Sequence, residues 1–72
     1  MAEKRITAEL AGRVISFPAI GTDVNAGEDV ILIESMKMEI PIASPGDGRV
    51  KAILVQIDDM VEEGHLLLVL ET

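Results

Sequence analysis

Short apolar runs, each bounded by glycine, proline or aspartate, recur along the whole chain. Helical periodicity is weak throughout, whereas runs of this length and spacing are typical of short β-strands. The pattern predicts strands at residues 5–9, 13–17, 29–34, 39–43, 49–54 and 66–71, with short extended pieces near 23–24 and 60–61. A proline cannot donate to a strand ladder, so the three prolines are expected at strand ends or edges, namely Pro18, Pro41 and Pro45.

The two halves of the chain carry similar sequences. Residues 12–14 (GRV) reappear as residues 48–50, and residues 24–34 (VNAGEDVILIE) are matched by residues 61–71 (VEEGHLLLVLE). A solenoid needs at least about three stacked repeats, so two copies predict halves that close on each other about a pseudo-twofold axis. Gly27 and Gly64 hold the same place in matched turns, where glycine tolerates a positive φ.

Composition and charge restrict the classes of function. With 72 residues the chain forms one domain, residues 1–72, and has little room for a complete two-substrate active site. Its net charge of -7 and scattered Lys and Arg residues argue against binding to nucleic acid. No apolar stretch reaches the roughly 18 residues of a membrane span, and no signal-like apolar segment follows the start. The absence of cysteine fits a reducing compartment, so we expect a cytoplasmic protein with no membrane contact.

One predicted hairpin breaks the usual rules of turn composition. Residues 31–42 (ILIESMKMEIPI) read as two strands joined at Met36-Lys37-Met38, without the Gly, Asn or Asp that tight hairpins prefer. Such a departure from local rules is a reason to suspect a functional site. The alternative is that the methionines are core or partly exposed filler, as for Met60 in an ordinary repeat position, and that Lys37 is a solvated charge.

The segment from residue 34 to residue 40 (ESMKMEI) resembles the attachment sequence of the biotinyl/lipoyl attachment domain family. The methionines that flank the lysine are similar to the biotin branch, because the lipoyl branch has an acidic residue before the lysine. The resemblance extends from about residue 6 to residue 70. It implies an all-β fold, a flattened antiparallel barrel-sandwich hybrid of two pseudo-twofold related halves. Lys37 would lie at the hairpin tip, and the first and last strands would meet at the opposite end.

The resemblance also implies a function, that of a biotin carboxyl carrier protein. Biotin would be attached covalently to Lys37, with Met36 and Met38 shaping the cofactor-binding tip. The partners would be a biotin protein ligase, a biotin carboxylase and a carboxyltransferase, as in the acetyl-CoA carboxylase of fatty acid biosynthesis. The chain itself would be a carrier without catalytic residues. A lipoyl carrier domain, or an interaction module whose Lys37 is never modified, remains an alternative.

The remaining polar residues are interpreted as structural. His65 follows a turn glycine, which favours a surface histidine over a ligand or a base. The acidic pairs at 58–59 and 62–63 lack a histidine or cysteine at metal-ligand spacing, so a solvated turn is expected rather than a metal site. No arrangement of nucleophile, acid and base is present in the sequence, which argues against an independent enzyme.

Overall fold

The computed structural model describes residues 2–72, and this part of the chain forms eight β-strands and no helix. The strands are β1 (Glu3–Thr7), β2 (Gly12–Ser16), β3 (Asp23–Val24), β4 (Asp29–Ser35), β5 (Met38–Ala43), β6 (Gly48–Ile53), β7 (Met60–Val61) and β8 (Leu66–Glu71). Across residues 2–72 there is accordingly no helix with the length and apolar character needed to cross a membrane.

The strands form two four-stranded antiparallel sheets with orders β1-β8-β6-β3 and β5-β4-β2-β7. The second order is the first with every strand replaced by its counterpart in the other half, so each sheet takes strands from both halves. This exchange is what a pseudo-twofold axis between the halves requires. The predicted all-β class and its two similar halves are confirmed.

Strand β1 is the element whose predicted position differs most from the structure. It was expected at residues 5–9 and lies at Glu3–Thr7. Its partner β8 begins at Leu66, which pairs with Thr7, so the strand pairing ends at that point. Ala8 lies outside the strand, and its amide donates to the carbonyl oxygen of His65, in the turn that precedes β8, at 2.9 Å. The pairing of two distant strands therefore decided where β1 ends.

The core lies between the two sheets and contains only aliphatic side chains. Phe17, the one aromatic residue, is partly buried at its margin. The largest fully buried side chains come from both halves: Ile31, Ile33, Leu67, Leu68, Leu70, Val14 and Val50. Two of the three prolines lie outside the strands, and Pro41 lies within β5, which is an edge strand as predicted. β-Branched and leucine side chains fill a sandwich of this kind without aromatic bulk.

The matched turns behave alike in the two halves. Gly27 and Gly64 have φ values of 83° and 88°. Their amides donate to the Ser44 and Ala8 carbonyl oxygens at 2.9 and 2.8 Å. The prediction that both turns need a positive φ is confirmed. A Cβ added at either glycine would meet nothing within 4 Å, so the requirement comes from the backbone alone.

Replacement of either turn glycine by valine is expected to destabilise the fold by about 1 to 3 kcal/mol, because a β-branched residue is strained at positive φ. Gly27→Asn should cost less, since asparagine tolerates this region. Ala26→Val, at the exposed neighbouring position, is the matched control and should stay within about 0.5 kcal/mol of wild type. Urea denaturation measures all four variants; equal midpoints for wild type and Gly27→Val or Gly64→Val would contradict the role assigned to that turn.

The hairpin between β4 and β5 lies at the opposite end of these strands from Ala2 and Thr72, in a molecule that measures 36 × 20 × 19 Å. Strand β5 leads away from the hairpin, and shortly after its end the chain reaches Gly48. A Cβ at Gly48 would come within 2.9 Å of the Glu71 carbonyl oxygen. At this end the amide of Thr72 donates to the carbonyl oxygen of Ala2 at 3.0 Å. The position implied for the hairpin by the family resemblance is therefore observed.

Candidate functional site

The β4–β5 hairpin closes in a two-residue turn formed by Met36 and Lys37. Ser35 and Met38 are the last paired residues, and the φ values of Met36 and Lys37 are 53° and 65°. Positive φ at both central positions is the signature of a type I′ turn, for which Asn-Gly is the usual sequence. A non-glycine residue in this region costs on the order of 1 to 3 kcal/mol. The Met36-Lys37 sequence therefore costs conformational free energy that an Asn-Gly turn at the same place would avoid.

The side chains at the tip project away from the core. Met36 is 92% exposed and Met38 is 64% exposed, and Lys37 is exposed between them. The interpretation of these methionines as core filler is excluded by this exposure. Met60 is also exposed, so its interpretation as core filler at an ordinary repeat position is wrong: it lies beside Arg13 on the outer face of the sheet, whereas the next residue of β7, Val61, is buried.

The hairpin itself is firmly held. Ile33 pairs with Ile40 and Ile31 pairs with Ile42 in the β4–β5 ladder, and three of these four side chains are fully or almost fully buried. Because the inward-facing residues anchor both strands in the core, the tip is carried on a fixed support. The mobility available to the amine is then that of the lysine side chain itself.

An ion-pair cluster joins three segments beside the hairpin. Arg13 on β2 donates to Glu34 on β4 at 2.8 Å and to Asp58, which precedes β7. The hydrogen bond with Glu34, followed by that with Asp58, raises the pKa of the Arg13 guanidinium. All three side chains are more than a third exposed, so the cluster adds little to stability and mainly orients its members. Sequence reasoning missed Arg13, although its place in the repeated Gly-Arg-Val was a signal.

The other polar residues considered in the sequence do not converge on the tip amine. His65 is exposed, and Asp59 accepts a hydrogen bond from the Gln56 amide at 2.8 Å within its own turn. Among residues 2–72 no group of three or more His, Cys, Asp or Glu side chains could hold a metal ion. In the same part of the chain the Lys37 amine forms no ion pair, so it is available to a reagent from outside.

The exposed Lys37 amine at the tip of the hairpin suits one kind of chemistry, namely covalent modification by another protein. A primary amine on a long stem, raised on a convex and rigid tip, can enter the active site of a separate enzyme. The exposed thioethers on both sides offer apolar and adaptable contacts to such an enzyme. Any acid, base or activated acyl group must come from the partner.

Comparison with known proteins places this geometry in a family. The family model for biotin and lipoyl domains, described as "Biotin-requiring enzyme", matches residues 4–70. The chain is 34% identical over 66 residues to the biotinylated protein TB7.3 homolog of Mycobacterium leprae, covering 90% of the chain and 93% of the relative. It is 37% identical over 67 residues to pyruvate carboxylase of Bacillus subtilis, covering 92% of the chain and 6% of the relative.

A solved structure supports the same assignment. The urea carboxylase of Kluyveromyces lactis superposes with a TM-score of 0.89 at 36% sequence identity, covering 99% of the chain and 6% of the carboxylase. The chain thus spans only a small part of either carboxylase, but nearly the whole length of the mycobacterial protein. The matched region contains both sheets and the hairpin that carries Lys37. The chain therefore belongs to the biotin/lipoyl attachment domain family.

Proposed function

We propose that this chain is a biotin carboxyl carrier, biotinylated at Lys37, that serves a biotin-dependent carboxylase. The observation that carries the proposal is the type I′ tip, where an exposed lysine that forms no ion pair within residues 2–72 stands between two exposed methionines. Both central residues occupy a backbone region that favours glycine, so the tip retains Met-Lys at a local cost. If the tip is a site of covalent modification, the enzyme that modifies it requires these residues, and this requirement explains why they are present despite the backbone cost.

The residues present fit covalent attachment of biotin through an amide. The Lys37 amine supplies the nitrogen, and lysine suits this role because its amine can lose a proton and be acylated, unlike the guanidinium of arginine. Met36 and Met38 provide the apolar surroundings that a docking enzyme contacts. Bound biotin would supply the ureido nitrogen that carries a carboxyl group. The chain contributes a fixed point of attachment and a high effective concentration, and no catalytic group.

The partners follow from this role. A biotin protein ligase must attach the cofactor, a biotin carboxylase must load the carboxyl group, and a carboxyltransferase must receive it. Acetyl-CoA carboxylation in fatty acid biosynthesis, in the cytoplasm, is the parent reaction that we propose. The two carboxylases named above are a pyruvate carboxylase and a urea carboxylase. Capture of the biotinylated chain, followed by identification of the subunits that co-purify with it, tests which enzyme it serves.

A lipoyl carrier is the second candidate, because the matching family model covers both kinds of attachment domain. The two carriers share the fold and the hairpin lysine. The residue at position 36 separates them: an acidic residue belongs to the lipoyl pattern, and this chain has Met36. The exposed methionines therefore favour biotin.

Intact-mass spectrometry tests the choice of cofactor. The chain is expressed with a biotin protein ligase and biotin, and separately with a lipoate ligase and lipoate. We expect one biotinyl increment in the first case, placed on Lys37 by peptide mapping, and no lipoyl increment in the second. A lipoyl increment alone would transfer the chain to the lipoyl branch. No increment in either case would favour the third interpretation, an interaction module whose Lys37 is never modified.

A further inference from the structure

The pseudo-twofold relation provides an internal comparison between the two ends of the molecule. On the sheet that carries the hairpin, register pairs place four residues side by side, called here the tip row: Glu39, Glu34, Arg13 and Met60. The other sheet has a corresponding set near the chain termini, called here the terminal row: Glu3, Glu71, Arg49 and Asp23. Three of the four positions have the same residue type, so differences between the rows stand out.

The terminal row is electrostatically satisfied at both ends. Lys51 donates to Glu3, and Arg49 donates to Asp23 at 2.8 Å. These hydrogen bonds hold the pKa of Glu3 and the pKa of Asp23 below their ordinary values. The residues at the two ends of the terminal row, Glu3 and Asp23, therefore have ion-pair partners within residues 2–72, whereas Glu71 between them forms no ion pair there.

The tip row differs at both of its ends. Glu39, the counterpart of Glu3, forms no ion pair within residues 2–72. Met60, the counterpart of Asp23, is an apolar side chain that is 73% exposed. The tip row thus presents an unpaired carboxylate at one end and an unburied thioether at the other.

A third difference between the rows is that Arg13 has a second acidic partner although Met60 stands where the other row has Asp23. Arg13 has its second carboxylate at Asp58, where the other half has Gly21. The two positions correspond because Asp58 and Gly21 donate their amides to the Val14 and Val50 carbonyl oxygens, both at 2.8 Å. The φ of Asp58 is 74°, so an acid at this position carries a backbone cost that Gly21 avoids. Placing the acid there keeps Arg13 paired and leaves position 60 apolar.

The tip row also lies within reach of any enzyme that acylates Lys37. An unmodified lysine amine extends only about 6 Å beyond its Cα, so the acylating enzyme must rest against the hairpin end itself. An ordinary protein interface covers roughly 800 Å² of each partner, which corresponds to a radius of about 16 Å. Met60 lies two strand spacings of about 4.8 Å from Glu34, close to the hairpin. The whole row therefore falls inside such a footprint.

We infer that the tip row is a docking surface for biotin protein ligase, which presents a cationic side chain to Glu39 and an apolar recess to Met60. This inference rests on the proposed function. Exposed methionine and an unpaired carboxylate are complementary to such a surface, since interfaces combine apolar anchors with charge pairing. Arg13 lies between these two contacts and is paired with Glu34 and Asp58.

Exchanging the residues at the two corresponding positions tests the inference. Met60→Asp gives the tip row the composition of the terminal row and offers Arg13 another acid, so folding should be retained. Asp23→Met is the matched control at the other end of the molecule. With a recombinant biotin protein ligase, ATP and biotin, Met60→Asp should lower kcat/KM for the unmodified chain roughly tenfold, mainly through KM. Asp23→Met should stay within about twofold of wild type.

A second pair of variants examines the carboxylate. Glu39→Gln should raise KM several-fold and weaken its dependence on NaCl concentration, because salt screens an exposed charge pair. Glu3→Gln, its counterpart, should leave both quantities unchanged. Thermal midpoints of all four variants confirm that the folded state is compared.

The outcomes separate the docking surface from the function on which it rests. A wild-type chain that the ligase labels at Lys37, with Met60→Asp and Glu39→Gln labelled at the same kcat/KM, would overturn the docking surface alone. Equal losses for Met60→Asp and Asp23→Met would overturn it too, because the effect would not be local to the tip. A wild-type chain that is never labelled overturns the proposed function and the docking surface together.

Discussion

Replacement of Lys37 by arginine is expected to abolish biotinylation completely. Arginine preserves the positive charge and most of the side-chain length, but its guanidinium cannot lose a proton and act as an acyl acceptor. The fold should be unaffected, because Lys37 is exposed and forms no ion pair within residues 2–72. Streptavidin blotting and intact mass after incubation with ligase, ATP and biotin measure the outcome.

The chain offers controls for this variant. Lys4 and Lys51 are its two other lysines, and Lys51 is engaged by Glu3. Lys51→Arg keeps that ion pair possible and should be labelled like wild type. Residual label on Lys37→Arg, mapped to either remaining lysine, would show that the ligase does not select the hairpin tip.

Exchange of the two turn residues, Met36→Lys with Lys37→Met, is expected to reduce biotinylation by at least a hundredfold. The variant preserves composition, charge and hydrophobicity, yet moves the attachment point of the amine by about 3.8 Å, the distance between consecutive Cα atoms, and changes its direction. An acylating enzyme must bring the amine close to bonding distance of the activated carboxyl carbon, and a misplacement of about 1 Å can cost roughly a hundredfold in rate. The initial rate of labelling of the folded variant is the measurement.

The geometry of the turn makes this exchange a clean comparison. Positions 36 and 37 both have positive φ, and methionine and lysine are both unbranched at Cβ, so either order meets a similar backbone cost. The thermal midpoint should therefore stay near that of wild type. Labelling of the exchanged chain at the wild-type rate would mean that the ligase reads a linear sequence rather than the position of the amine on the folded tip.

The sequence alone was sufficient for the features that depend on local pattern. The apolar runs predicted the strands that bury Ile31 and Leu67, and the matched glycines predicted two turns with positive φ. The absence of turn-forming residues at Met36-Lys37-Met38 marked the hairpin as exceptional. These predictions succeed because side-chain alternation and the steric freedom of glycine act over a few residues.

Only the tertiary structure decided how distant segments meet. The end of β1 depends on where β8 begins, and the position of Met60 beside Arg13 depends on the pairing of β7 with β2. The contacts of Arg13 with Glu34 and Asp58 join residues that are 21 and 45 positions apart. Local pattern determines which face of a strand is buried, whereas register between strands depends on the packing of the whole core. The hairpin lysine was therefore visible in the sequence, and the surface beside it only in the fold.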